Sequence, residues 1–584
     1  MFVLLCVILI AGFGVWRLSY APLNIEFAKS FVEDSLAEAE TDIRVSFGKL
    51  NLHWPNLGEP IMLQAKDVSV VNNSDTQLLQ VGSAQIGLEA TSLMIGRIVP
   101  REITIENPSL FVTRNGVSDF DFGFAMPEKK AKADVEKMDN QSFLKELVDI
   151  LYRDDVGTSA SSLSELATFR VVDASIRVED NVLNFSWLMP SANLSFSKDD
   201  AGLRIDADVQ LPFEAQGRSA KFRLGALLDR HSRMIDFGAD LQDFSPQILA
   251  ELMPDLEILA EQRFLFNAKL NGMLDEELAV RRLVFDLSSD QGELNIESLS
   301  DDAVPLSDIT LKAHYDNASR FITFSNFGAT IGKVSFMSSA ELVYNDGEVR
   351  GPFRLDIEKV HHDDIKPIWP AALEGDNSEE WVIHKLSKGL FQNLYTQADL
   401  VLKRNEDGWD GDVERLVAGF EFEDLDVNYR EPLWPITDAS GNGRFDLDTQ
   451  TLRINVDDAK LREMSITKGE LEFIDIIRVG AGTADINVEL NGPLKNTLSY
   501  VAVEPIGVKP DFMIDGVSGH ADLKVNVQFP TVSDIPKEAV KIDVLGKLSD
   551  VVIPNVVKGL GLSKASLDAK VKDGQFSVKG NGLL

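Results

Sequence analysis

Seven histidines, one cysteine and a scatter of paired acids are the side chains with which this 584-residue chain could do chemistry. A zinc hydrolase would set two histidines four apart on one helix face with a glutamate beside the first. None of His53, His231, His314, His361, His362, His384 and His520 has that spacing. The run His361-His362-Asp363-Asp364 offers imidazole and carboxylate, which suit several divalent ions. Neighbours on a strand face opposite sides, however, so one cation cannot use both rings, and the run reads as a solvated turn. The acidic pairs Asp199-Asp200, Asp301-Asp302 and Asp457-Asp458 lack the spacing of a calcium loop and read as solvated loops. There is no nucleophile elbow, and Gly441-Asn442-Gly443 lacks the third glycine and the strand-to-helix setting of a dinucleotide loop, so it reads as a hairpin turn. Cys6 stands alone in the first apolar run, which excludes a disulfide within the chain and any cysteine-based metal site. The expectation is no catalytic residue, no metal and no cofactor.

What the sequence does position is surface. In 419–461, Phe420, Phe422, Leu425 and Val427 come first, a turn-rich stretch follows, and then Phe445, Leu447, Leu452, Ile454 and Val456 alternate with polar residues. Period-two patterning on both sides of a turn marks half-buried antiparallel strands. The pattern recurs at Leu203 to Leu211, at Phe353, Leu355 and Ile357, at Ile486, Val488 and Leu490, and at Leu523, Val525, Val527 and Phe529. Asn345-Asp346-Gly347 and Lys572-Asp573-Gly574 supply hairpin signals between such runs.

Helical spacing interrupts this in four places. Ile25, Phe27, Phe31, Val32 and Leu36 give 23–39 an apolar face suited to capping the end of a sheet. The stretch 143–152 returns to helical spacing, and 245–261 carries Ile248, Leu249, Leu252, Met253, Leu256 and Leu259 with Pro254 as a kink. The stretch 363–393 contains Trp369-Pro370 and Trp381, either core tryptophans plugging the sheet or aromatics at a mouth, where they would meet a partner or membrane interface. Between 127 and 141 the sequence is charged and nearly free of large apolar residues, the composition of a linker.

Residues 1–16 are apolar and include Phe2, Leu4, Leu5, Ile8, Leu9, Ile10, Val15 and Trp16, followed by Arg17. Sixteen helical residues span about 24 Å, a little short of a bilayer core of about 30 Å. There is no basic n-region and no small-x-small cleavage site near Tyr20, so the run reads as a membrane anchor rather than a cleaved signal. The lack of basic residues before it points to a start further upstream. The chain also stops in mid-pattern at GQFSVKGNGLL, as an N-terminal portion of a longer protein would.

A net charge of −36 repels phosphate backbones and anionic lipid surfaces alike, which argues against nucleic acid as a partner. Phenylalanine (33) outnumbers tyrosine (7) and tryptophan (7) together, favouring dry apolar surface. A long sheet with one apolar face either closes on itself as a sandwich or barrel or curls into a trough. In the first case that face is core. In the second it is a surface for acyl chains, lined by Phe353, Leu355, Ile357, Ile486, Val488, Leu490, Leu523, Val525 and Val527.

The anchor, the amphipathic helix, the stretch SLMIGRIVPREITIENPSLFVTRNG and the later FEFEDLDVNYREPLWPITDASGNGRFD resemble the AsmA-like proteins of Gram-negative envelopes, in their YhdP-type branch. The resemblance covers most of the chain. It implies a mainly β fold in which a transmembrane helix precedes an elongated, curled antiparallel β-groove, taco-like, with a few amphipathic helices interrupting it. The divisions expected are 1–22 as transmembrane anchor, 23–126 as amphipathic helix and start of the groove, 127–141 as linker, 142–360 as groove with helical insertions, and 361–584 as further groove. It also implies a non-enzymatic, single-pass protein of the bacterial inner membrane with its bulk in the periplasm. Phospholipids and the inner membrane would be its partners, in passing lipid between the two membranes and keeping the permeability barrier. The rival is an envelope scaffold or assembly factor with a closed β core and outer-membrane or periplasmic protein partners.

Overall fold

The computed structural model describes residues 13, 16–37, 43–54, 56, 59–72, 77–94, 97–116, 120–124, 165–182, 185–213, 218–252, 259–295, 303–345, 347–369, 377–405, 408–476, 482–532, 535–557, 559–572 and 575–583. They fall into two compact units, Met1–Ser289 with Asp316–Ala318, and Asp290–Tyr315 with Ser319–Leu584. Both are mainly β.

In the first unit residues 16–20 are helical, and a short 3-10 turn Glu26–Ala28 leads into a helix Lys29–Ala37. The strands Lys49–His53, Ile61–Asn72, Gln77–Leu88 and Pro100–Glu106 then pair antiparallel in succession. The next long strand, Thr168–Asp180, breaks the expected all-antiparallel rule. It runs parallel to both Pro100–Glu106 and Ser109–Arg114. Parallel neighbours need a crossover rather than a hairpin, and the chain between Arg114 and Thr168 is long enough to make one. From there Phe185–Lys198, Gly202–Phe213, Arg218–Asp229, Ile235–Phe244 and Phe266–Leu274 follow as an antiparallel meander.

In the second unit the meander runs from Phe321–Ile331 through Val334–Asn345, Glu348–His361, Leu390–Asn405, Gly408–Val427, Ile436–Asp446, Thr451–Leu461, Met464–Ile474, Thr483–Pro493, Ser518–Pro530, Lys541–Val557, Leu560–Lys572 and Gln575–Leu583. Among the described residues no pairing returns the last strand of either unit to its first, so neither run closes into a barrel.

Each meander is bent along a line of bulges. Asp67, Asp173 and Asp243 in the first unit, and Asp308, Asn393, Asp424, Asp438 and Asp550 in the second, sit inside strands with φ between +51 and +55°. Aspartate and asparagine tolerate this left-handed region better than other side chains except glycine. The register slips beside them, at Leu241/Phe244, Gln392/Tyr395, Phe422/Leu425, Thr437/Ser440 and Leu548/Val551. A bulge adds an unpaired residue and bends the strand. The amide this frees is capped from the next strand: Asp173 N donates to Asn193 Oδ1 at 3.0 Å, Asp243 N to Asn267 Oδ1 at 3.0 Å and Asp438 N to Asp426 Oδ1 at 3.1 Å.

The fully buried core follows the bend. Val171, Ala174, Ala192 and Phe244 lie beside it in the first unit, and Phe391, Phe422, Leu425, Ala439, Ala459, Ile466, Val551 and Ala565 in the second.

Several expectations change. Gly441-Asn442-Gly443 is not a turn but the middle of Ile436–Asp446, and the chain reverses at 428–435 and 447–450 instead. The glycines are there for space. A Cβ on Gly443 would lie 2.3 Å from Phe420 Cζ, and one on Gly441 2.0 Å from the Asn455 carbonyl oxygen. Asp457 and Asp458 are on a strand, Thr451–Leu461, rather than in a loop. The helical stretch expected at 363–393 already ends before Leu390, with Phe391 in the core. A helix not expected from the sequence, Leu494–Val501, follows Pro493, with Leu494 and Leu498 packed into the core and no side-chain cap to announce it. The helix expected at 245–261 is present at Pro246–Leu252. The expected linker 127–141, helix 143–152 and pair Asp301-Asp302 lie outside the described residues, as do the anchor residues Phe2, Leu4, Leu5, Ile8, Leu9, Ile10 and Val15. Trp16 opens the short helical stretch, and among the described residues no helix is long and apolar enough to cross a membrane.

Candidate functional site

The strand register gathers the apolar residues into patches. In the second unit Ile486, Val488 and Leu490 stand opposite Val527, Val525 and Leu523, and on the other side Ile486 and Leu490 meet Leu471 and Ile466. Val525 and Val527 continue the patch onto Val544 and Ile542. A second patch forms where Phe353, Leu355 and Ile357 stand between Ala340, Ser338 and Phe336 on one strand and Ala398, Thr396 and Leu394 on the other. The nine residues expected to line an apolar surface fall in these two patches.

They are not core. Each of the nine is half-buried, whereas residues on the same face beside the bend, such as Ala459 and Val551, have no exposed surface. The first unit repeats the arrangement. Ile205 and Phe222 are half-buried on the face whose residues nearer the bend, Ala192 and Val171, are buried. An apolar face left half-open differs from the close-packed interior of an ordinary sandwich core.

Glycines shape the patches. Gly272 sits across from Phe237, and Gly443 across from Phe420, so that each ring lies over its partner strand where a Cβ would stand at 2.6 or 2.3 Å. Phe420 in turn meets Phe391 and Phe422 at ring separations of 5.9 and 6.3 Å.

The opposite face is polar and cross-linked. Lys524 Nζ donates to Glu489 Oε1 at 2.7 Å, Asn526 donates to Asp485 and Asn487, and Arg453 pairs with Glu472. Lys388 and Lys460 both reach Asp438, at 2.9 and 3.2 Å, and hold its carboxyl below the usual aspartate range, Lys388 contributing most. Lys524 does the same for Glu489. Turns are built likewise: Asp229 Oδ1 accepts from the amides of His231 and Ser232, and Asp275 Oδ1 from those of Glu277 and Ala279, which lowers both carboxyls. A shallow hollow of about 460 Å³ in the first unit is lined by Arg170, Asn193, Asp206, Asp208, Arg223 and Asp240 together with Val171, Val172, Leu194, Ala207 and Leu224.

Helical insertions fill the apolar face at two levels of the second unit. Ile365 and Ile368 pack onto the core from the segment that follows His361. His362, read as part of a solvated turn, is instead tucked under that segment, with its Nε2 2.8 Å from the Val382 carbonyl oxygen. Trp369 Nε1 is buried without a partner among the described residues, while Trp381 is 47% exposed. Further along, Trp434 packs edge-on against Tyr500 at 5.6 Å, with the Arg462 guanidinium 3.8 Å from the Trp434 ring centre. The hydroxyls of Tyr429 and Tyr500 share a hydrogen bond, and burial pushes both phenols up. No group of three or more His, Cys, Asp or Glu side chains among the described residues is placed to hold a metal ion.

The left-handed aspartates, the helix at 494–501 and Trp434 are what sequence reasoning missed. Three of the aspartates had a signal, a single Asp within a mostly apolar strand stretch, as in VVDASI, LSDIT and LSDVVI.

A family model described as YhdP protein matches residues 1–299 of the 584. No curated protein and no solved structure matches the chain.

Proposed function

Because the chain belongs to the YhdP family, we propose that it is an inner-membrane-anchored periplasmic protein whose apolar strand faces carry phospholipid acyl chains while the headgroups stay in water. The observation that carries this reading is the half-open apolar face of each unit, continuous across paired strands and backed by a cross-linked polar face. Acyl chains leaving a bilayer would otherwise expose apolar area to water at about 25 cal/mol per Å². A strip of Ile, Val, Leu and Phe replaces that water along the path. The protein supplies the route, and direction comes from elsewhere. Such passage from the inner towards the outer membrane would serve the envelope permeability barrier. The family match and the open strand runs support this reading; residues 1–16 would provide the single membrane span.

The test uses a cross-strand pair. Val488→Asp combined with Val525→Asp sets two carboxylates opposite each other on the apolar face, where desolvating them on lipid binding is costly. Since both sites are half-buried, the fold should persist. Native mass spectrometry in mild detergent should find several phospholipids on the wild-type chain and a large loss on the folded variant. Wild-type occupancy in the folded variant would sink the assignment. A folded, lipid-free wild type would move the reading to an envelope scaffold that holds protein clients.

A further inference from the structure

The first described residues carry a cluster of aromatic side chains that the protein leaves uncovered. Trp16 is 58% exposed, Tyr20 80%, Phe27 86% and Phe31 55%, with Leu23 beside them at 38%. The rings are not on a loose tail. Trp54 N donates to the Leu18 carbonyl at 3.1 Å, Ile25 N to the Leu50 carbonyl at 3.0 Å, and Arg17 Nη1 caps the end of its own helical stretch at Ala21 O, 2.8 Å away. Trp16 and Tyr20 stack at 6.0 Å. The helix Lys29–Ala37 is equally fixed. Ile25 and Val32 are buried against the first strands, and Glu33 Oε1 accepts from Phe47 N at 2.9 Å. Phe27 and Phe31, four residues apart, therefore point away from a face that is already satisfied.

A helix apolar on both sides must be covered on both. We propose that these residues form an aromatic collar seated in the headgroup and acyl boundary of the membrane that residues 1–16 enter. On this arrangement the first strands begin at the lipid surface rather than at the end of a tether. Two features select a bilayer over a protein. The collar starts at Trp16, the last residue of the apolar run, and Trp and Tyr with flanking Phe are the side chains that favour the membrane interface. Arg17 uses its guanidinium on a backbone carbonyl, so its charge sits at the polar border.

The inference rests on the membrane-anchored reading, and one set of labels separates the two. The full chain is reconstituted in nanodiscs of phosphatidylethanolamine and phosphatidylglycerol. An NBD label on Cys6, the single native cysteine, reports on the anchor. In a Cys6→Ser background the same label is placed by Phe27→Cys, by Phe31→Cys, by Ser30→Cys, which keeps both rings, and by Lys221→Cys on the polar side of the first unit. Expected is quenching of labels at 27, 30 and 31 by lipids brominated near the headgroup, and several-fold protection from aqueous iodide relative to 221. If labels at 27, 30 and 31 are as open to iodide as that at 221 while Cys6 is quenched by lipid, the collar is wrong and the anchor stands. If Cys6 is itself open to iodide, the membrane premise fails and the collar with it.

Discussion

Asp173 shows what a single residue does in this fold. It sits inside a strand with φ +55°, accepts from Ser191 Oγ at 2.8 Å, and has its amide capped by Asn193. A residue that must be left-handed, short and polar at once explains aspartate in an otherwise apolar stretch. Asp173→Val should cost at least about 1–2 kcal/mol, because a β-branched residue is a genuine outlier at positive φ. Asp173→Gly keeps the backbone and should stay within about 1 kcal/mol of wild type. Amide exchange across Thr168–Asp180 and Phe185–Lys198 checks both. Equal loss of protection in the two variants would mean the side-chain bonds, not the backbone angle, hold the bend. At Asp438, a left-handed position of the second unit, the carboxyl is also an ion-pair partner. Asp438, depressed by Lys388 and Lys460, is ionised throughout neutral pH. Its contribution is present above the ordinary aspartate range near 4 and is lost only as pH falls through the lowered value.

At the scale of the element, a strand here has two jobs along its length. Near the bulge it contributes buried core, and beyond it the same face is left half-open. In Gly408–Val427 this is visible directly: Phe422 and Leu425 flank the bulge and are buried, while Phe420 turns its ring over Gly443 of the neighbouring strand. Gly443→Val would drive side-chain carbons into that ring. The expected penalty is about 1–3 kcal/mol, the usual cost of overpacking. Urea unfolding of the second unit checks it, and an unchanged midpoint would show the ring free to move aside. The helical insertions act at the same scale. The segment after His361 and the helix Leu494–Val501 each bury apolar side chains against the core of the second unit, between strands that stay paired to one another.

At the scale of the whole molecule, two units repeat one construction, each with an apolar face, a polar face and a line of bulges between buried and half-open zones. If the faces carry lipid, each unit should capture it on its own account. A photoreactive residue at Phe222 in the first unit and at Val488 in the second should crosslink phospholipid in cells, while Lys221 and Lys524, one residue round or on the adjoining strand's polar side, should not. Lipid captured equally from both faces would remove the groove, and protein captured from the apolar positions would favour the scaffold. The net charge of −36 belongs to this scale too. Self-repulsion of that size disfavours association of one chain with another.

Much of this was legible in the residues alone. Alternation such as Ile486, Asn487, Val488, Glu489, Leu490 determines strand, face and polarity, because side chains on a strand take opposite sides whatever surrounds them. Turns marked by Asn345 and Gly347 were readable for the same local reason. The placement of Val525 and Val527 beside Val488 and Ile486 was not, because the helix Leu494–Val501 stands between their two strands. What local pattern does not carry is where a strand bends. Gly441 and Gly443 look like turn residues, yet they are strand because Phe420 and Phe422 lie over them from a neighbour. Asp438 looks like a loop residue, yet it is a bulge because the Asp426 side chain on the adjoining strand accepts its amide. Both meanings are set by contacts between strands, which only the tertiary structure assembles. The same holds for the surface that matters. An alternating strand says that one face is apolar, and the line of bulges decides how much of that face is closed into core and how much remains open.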